Sequence, residues 1–218
     1  MTVAVRNVTK IIRNTTVLCS IDLTVRAGEI IGLSGINGSG KTMLMRAMAG
    51  LIKPNEGEII VDGKTLWDDV SFPESIGMLI ENPAFLDNYT GYQNLYMLAS
   101  IKCIIDEESI RQTMREVGLN PLEKKKYRKY SLGMKQRLGI AAALMESPSI
   151  ILLDEPTNAL DAQGVEIAKK LILAEKDRGA SIVISCHDKD ILEYLSDEIY
   201  YMSEGCIIDH RISKKVAG

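Results

Sequence analysis

The chain is short of several things, and each shortage removes a class of function. Its 218 residues include only two histidines, so a histidine-rich metal centre is not expected. Four cysteines, Cys19, Cys103, Cys186 and Cys206, are scattered without a Cys-x-x-Cys spacing. They read as reduced thiols of a cytosolic protein, not as a disulfide frame or zinc site. The apolar runs, such as residues 150 to 153, are far too short to cross a bilayer. Positive charge is not in excess: 26 Lys and Arg face 29 Asp and Glu, a net charge of −3, which argues against a broad nucleic-acid surface. The opening Met1-Thr2-Val3-Ala4-Val5 is β-like and does not have the form of a secretory signal. Repeats, low-complexity tracts and a linker long enough to separate one domain from another are also missing. What remains is a chain with 46% hydrophobic residues, enough for one large domain or a domain carrying a lobe.

The most informative segment is Gly35-Ile36-Asn37-Gly38-Ser39-Gly40-Lys41-Thr42, a Gly-x-x-x-x-Gly-Lys-[Ser/Thr] phosphate-binding loop. Its context gives it meaning. An apolar strand is expected over residues 29 to 33, and a helix over 43 to 49 that stops at Gly50. Strand, glycine-rich turn and helix aim backbone N–H groups and a positive helix end at one point, where a triphosphate fits. Gly35, Gly38 and Gly40 let the backbone approach phosphate oxygens with no Cβ in the way. Lys41 is placed to reach the β- and γ-phosphates and Thr42 to hold Mg²⁺.

The first third reads as β-rich, with strands over 3 to 8, 17 to 25, 58 to 61 and 75 to 80, and a hairpin signal at Asp62-Gly63. Helices follow over 92 to 101, 106 to 117 and 132 to 146, within a helical insertion spanning about 83 to 147. Asp106 caps the second of these and Gly118 stops it. The last third alternates again: a strand over 149 to 153, a helix over 162 to 178, a strand over 181 to 185, a short helix over 189 to 195, and a hairpin from 198 to 208 around Glu204-Gly205. Such alternation implies a mainly parallel sheet covered on both faces.

Three further groups carry chemistry. Ile150-Ile151-Leu152-Leu153-Asp154-Glu155 is an apolar strand ending in two carboxylates, at the end where ligands of such sheets bind. Asp154 is expected to support Mg²⁺, and Glu155 to polarise an attacking water as general base. Ser131-Leu132-Gly133 opens a helix; by itself this is either a simple N-cap or a second anion site. His187, following the strand over 181 to 185, is a candidate γ-phosphate contact. The basic run Lys124-Lys125-Lys126-Tyr127-Arg128-Lys129 reads as a solvated face.

In this order, the phosphate loop, Tyr130-Ser131-Leu132-Gly133-Met134-Lys135-Gln136-Arg137, the segment ending Asn158-Ala159-Leu160-Asp161 and His187 resemble the nucleotide-binding subunit of an ATP-binding cassette (ABC) transporter. The resemblance covers nearly the whole chain. It implies a P-loop NTPase: α/β, with a mainly parallel core sheet, an N-terminal antiparallel β subdomain and an inserted helical subdomain, all in one domain over 1 to 218. It implies ATP and Mg²⁺, and pairing with a second nucleotide-binding subunit, identical or different. Each ATP would lie between one subunit's loop and the partner's Ser131 and Gly133, with Asp161 in the corresponding D-loop. It further implies membrane-spanning partner subunits that carry the substrate, and a place at the cytoplasmic face of the membrane.

Some positions depart from the family pattern. Glu81, in Ile80-Glu81-Asn82-Pro83, stands where the family has a glutamine that contacts Mg²⁺ and the attacking water. With this signature it resembles the bacitracin- and lantibiotic-resistance exporters, implying antimicrobial-peptide or drug export. Ile12 stands where an aromatic stacks on adenine, leaving an apolar contact only. The alternative is a soluble ATPase of the same kind acting on nucleic acid or ribosomes. It is disfavoured because long coiled coils, zinc motifs and a second tandem cassette are not seen, and the tail over 209 to 218 is short.

Overall fold

Alternation of side chains along the strands sets the architecture. In the computed structural model, residues 2–81 and 83–213 are described; Met1, Asn82 and tail residues 214–218 lie outside the described residues. The first two strands, β1 (Val3–Ile12) and β2 (Thr15–Val25), pair antiparallel through a tight turn at Arg13 and Asn14, whose φ values are 48° and 63°. The turn contains no glycine, and β1 runs beyond the expected end at residue 8 to reach it. After β3 (Ile30–Ser34) and α1 (Lys41–Met48), β4 (Glu56–Val61) turns at Asp62-Gly63 into β5 (Lys64–Thr65). These strands form an antiparallel sheet in the order β2-β1-β4-β5.

A second sheet is built from β3, β6 (Ile76–Leu79), β7 (Ile150–Asp154), β8 (Ser181–Ser185), β9 (Glu198–Ser203) and β10 (Cys206–Ile212), in the order β10-β9-β3-β8-β7-β6. All its pairings are parallel except the edge hairpin β9–β10, which turns at Glu204-Gly205 and extends past the expected residue 208. Between β6 and β7 lie α2 (Gly91–Lys102), α3 (Glu107–Glu116), a single 3-10 turn at Tyr127–Lys129 and α4 (Leu132–Leu144). Helices α5 (Ala162–Asp177) and α6 (Lys189–Leu195) follow β7 and β8.

A strand buried on both faces has no polar side, and β3, β7 and β8 are of this kind. Ile31, Leu33, Ile150, Leu152 and Val183 pack with α1 and the antiparallel sheet. Their neighbours Ile30, Ile151, Leu153, Ile182 and Ile184 pack with the apolar sides of α2 to α6. The core sheet is therefore sandwiched, and only its strand ends are open to a ligand.

The contact between β6 and α4 leaves no room for a side chain at Gly77, where a Cβ would lie 1.8 Å from the Ala143 carbonyl oxygen. Gly77→Ala is expected to destabilise the fold by about 2–3 kcal/mol through overpacking. A urea midpoint equal to that of the wild type would refute this close approach.

Candidate active site

Strands β7, β8 and β3 are neighbours, and the register places Ser185 opposite both Leu33 and Asp154. Their carboxyl ends therefore lie side by side, and the segments leaving them meet over one edge of the sheet. The phosphate loop leaves β3, Glu155 follows β7 and His187 follows β8.

Within the loop, Gly35 has φ 155° and Gly40 φ 107°, values that side chains disfavour. At Gly35 a Cβ would also meet the Met202 carbonyl oxygen at 2.4 Å. Lys41 opens α1 and is buried, its ammonium donating to the carbonyls of Gly35 at 2.7 Å and Ile36 at 3.1 Å. An ammonium has three N–H donors, so one remains for an anion. The hydroxyl of Ser39 is buried with no hydrogen-bond partner among the described residues. The hairpin turn between β9 and β10 supports the loop from behind: Gly205 N–H donates to Ser39 O at 3.0 Å, while Gly205 O accepts from Cys19 N–H at 2.9 Å.

The Thr42 hydroxyl donates to Asp154 Oδ2 at 2.6 Å, and Asp154 is only 7% exposed. Glu155 takes φ 52°, which turns the chain sharply out of β7. Its carboxylate accepts from His187 N–H at 3.0 Å and lies 3.5 Å from His187 Nε2. A cleft of about 570 Å³ results, lined by Thr15, Thr16 and Val17, by Asn37 to Met43, by Asp154, Glu155 and His187, and by Glu204 and Gly205. It has a helix N-terminus, a cation, hydroxyls and carboxylates at one end, the donor set for a phosphate chain.

Ser131, Gly133 and Asp161 are elsewhere. They line a second cleft of about 770 Å³, which shares no lining residue with the first. Ser131 does cap α4, its hydroxyl accepting from Met134 N–H at 3.2 Å, and this leaves the hydroxyl proton free to donate. Asp161 caps α5; the Gly164 N–H, and after it the Arg137 guanidinium at 2.8 Å, hold its carboxyl below the usual carboxylate range. Arg137 also donates to Val117 O at 2.9 Å, so it joins α4 to the end of α3 and to the loop that follows β7.

Three expected site residues, Gly35, Ile12 and Glu81, line neither cleft; Gly35 serves the loop through its carbonyl, which accepts from Lys41. Ile12 ends β1, pairs with Thr15 across the Arg13-Asn14 turn and is 37% exposed; the wall it was expected to form belongs to Thr15, Thr16 and Val17 of β2. Glu81 has φ 61° and its carboxylate is engaged 2.7 Å from Arg46 Nη2 of α1, so it does not line the phosphate cleft. In the basic run, Tyr127 is buried, its hydroxyl donating to Pro83 O, while Lys124, Lys125, Arg128 and Lys129 are exposed.

Sequence reasoning also missed residues. Gln136 of α4 is 8% exposed and donates through Nε2 to the Glu155 carbonyl at 2.9 Å. Ser185 is fully buried between Asp154 and Glu155. The available signal was a polar residue at the ligand-binding end of a strand whose middle is apolar. Cys186 beside it is buried, and burial pushes its thiol pKa up, despite a 3.3 Å contact with the Thr157 hydroxyl.

Comparison with known proteins bears on the family and the fold. Residues 18–158 match the family model described as ABC transporter. The ABC transporter ATP-binding protein YybJ of Bacillus subtilis (strain 168) is 48% identical over 203 residues, 93% of each chain. The bacitracin transport ATP-binding protein BcrA of Enterococcus faecalis is 39% identical over 205 residues, 93% of this chain and 67% of that protein. A dimeric structure of MJ0796, a bacterial ABC transporter cassette, superposes with a TM-score of 0.89 at 25% identity, covering 97% of this chain and 99% of that one. The chain therefore belongs to the ABC transporter family, as an ATP-binding and ATP-hydrolysing subunit.

Proposed function

We propose that this subunit powers transport across a membrane through separate membrane-spanning partners, working at the cytoplasmic face as half of a nucleotide-binding pair. The observation that carries this reading is the split between two clefts. One holds the loop, Asp154, Glu155 and His187; the other holds Ser131, Gly133 and Asp161. A second copy or a related subunit, turned head to tail, would bring the second cleft's helix start onto the phosphates held in the first. The dimeric form of the MJ0796 cassette supports pairing of two such subunits. We take the chain as one domain over 1 to 218, with its helical region over about 83 to 147 facing the membrane subunits.

In this reading Lys41 and the backbone N–H groups of residues 38 to 42 bind the β- and γ-phosphates of ATP. Glu155 accepts a proton from the attacking water, and His187 donates to the γ-phosphate. Thr42 and Asp154 are an oxygen-only donor pair already within 2.6 Å of one another, which suits a hard divalent cation such as Mg²⁺. Bound there, the ion would neutralise charge on the phosphates. Glu81 is left out of this metal set because its carboxylate serves Arg46.

The cargo is the finer element of the proposal. BcrA is a bacitracin transport protein by name, and its similarity supports export of an antimicrobial peptide. The chain should be tagged in its native cell and extracted in mild detergent. A polytopic membrane protein in stoichiometric amount is the expected companion. Ribosomes, DNA or soluble proteins alone would overturn the reading.

A further inference from the structure

Ser185 ends β8 and is fully buried, so it does not touch a ligand in the cleft. Its hydroxyl bonds Asp154 Oδ1 and lies 3.1 Å from the Glu155 backbone nitrogen. A serine hydroxyl has one proton. An ionised carboxylate only accepts and a backbone N–H only donates. Both directions are therefore fixed: Ser185 donates to Asp154 and accepts from Glu155. On its other oxygen, Asp154 accepts from the Thr42 hydroxyl at 2.6 Å. The three bonds form one line, from the Glu155 backbone through Ser185 and Asp154 to the phosphate loop.

Glu155 needs such an anchor. Its φ of 52° lies in the left-handed region, which a residue with a side chain keeps only where its surroundings impose it. The direction of its carboxylate follows from that backbone turn. Gln136 holds the carbonyl side of the residue from α4, and Ser185 holds the N–H side from β8, where the N–H is shared between the Ser185 hydroxyl at 3.1 Å and the Ser185 backbone carbonyl at 3.2 Å.

We propose that Ser185 is a positioning residue for ATP hydrolysis, whose hydroxyl locks the Glu155 backbone to the Asp154–Thr42 pair and so fixes the general base relative to the phosphates. The proposal rests on the assignment of Glu155 as base. It assigns a role to a buried residue that does not line the cleft.

The test uses the purified full chain, with steady-state ATP turnover and equilibrium ATP binding measured side by side. Ser185→Ala is expected to lose about ten- to a hundredfold in kcat, the scale of a small misplacement of a catalytic group, with KM and ATP affinity within about threefold of wild type. Ser185→Thr keeps the hydroxyl and is expected to turn over within about threefold of wild type. In a Glu155→Gln background, Ser185→Ala is expected to change the residual rate by less than about twofold, because the group it positions is already gone. Four results would overturn the proposal. These are wild-type kcat in Ser185→Ala, loss of ATP binding together with turnover, a Thr variant that binds ATP but stays as slow as Ala, and a full additional loss in the Glu155→Gln background. Wild-type turnover by Glu155→Gln alone would instead remove the base assignment and this proposal with it. A dead Glu155→Gln beside an active Ser185→Ala removes only the role of Ser185.

Discussion

Glu155→Gln is expected to lower ATP turnover by about a hundred- to ten-thousandfold, the range general-base catalysis supplies. ATP affinity should stay near that of wild type. The exchange keeps the size of the side chain and an oxygen able to accept from His187 N–H, now 3.0 Å from Glu155 Oε2. It also leaves untouched the backbone bonds from Ser185 and Gln136 that set the turn. Only the ability to take a proton is lost. The variant should therefore bind ATP, fail to release itself by hydrolysis, and collect as a dimer on gel filtration with ATP. Turnover within about threefold of wild type would remove Glu155 from the role of base, since a true base contributes at least about a hundredfold.

Lys41→Ala is expected to fail earlier, at binding. Hydrogen bonds to a charged group contribute roughly 1.5–3 kcal/mol, so the loss should be about ten- to a hundredfold in ATP affinity. Lys41 also stitches the loop together through Gly35 O and Ile36 O, at 2.7 and 3.1 Å, so the empty loop loses definition as well as charge. Both effects act in the same direction. Equilibrium titration with ATP checks the first, and the melting temperature shows that the rest of the fold survives. Unchanged affinity would mean that the phosphates lie elsewhere.

The two variants separate the stages of the reaction. One blocks entry to the cycle and the other blocks exit from it. A mixture of the two types should also report on pairing, because a subunit that cannot bind still presents Ser131 and Gly133 from its own second cleft.

Legibility in the sequence followed the range of the interactions. The phosphate loop, β8 and α6 were readable because each rests on neighbours in the chain: a glycine pattern, a run of β-branched residues, and a cap such as Asp188 accepting from Asp190 and Ile191 N–H. The long β1 was not, since its turn at Arg13 and Asn14 uses left-handed residues without a glycine to announce them. That turn is also why Ile12 misses the cleft. Glu81 was assigned by position in a family pattern, while its partner Arg46 comes from α1, on a segment far away in sequence. The roles of Ser185 and Gln136 were missed for the same reason. Their role exists only once β8 and α4 stand beside the end of β7. The 3-10 turn at Tyr127–Lys129 was hidden inside a run whose charge dominates the reading.

The turn behind the phosphate loop has a consequence in time. Gly205 N–H holds Ser39 O, and Gly205 O holds Cys19 N–H, so the loop's floor is laid by a hairpin near the opposite end of the sequence. A ribosome delivers the loop early and that hairpin late. A nascent chain therefore carries the complete phosphate-binding motif without the surface on which the motif takes shape until residue 205 has been made. Nucleotide binding is expected only after β9 and β10 have been made, when the core strands β7 and β8 have had time to find β3.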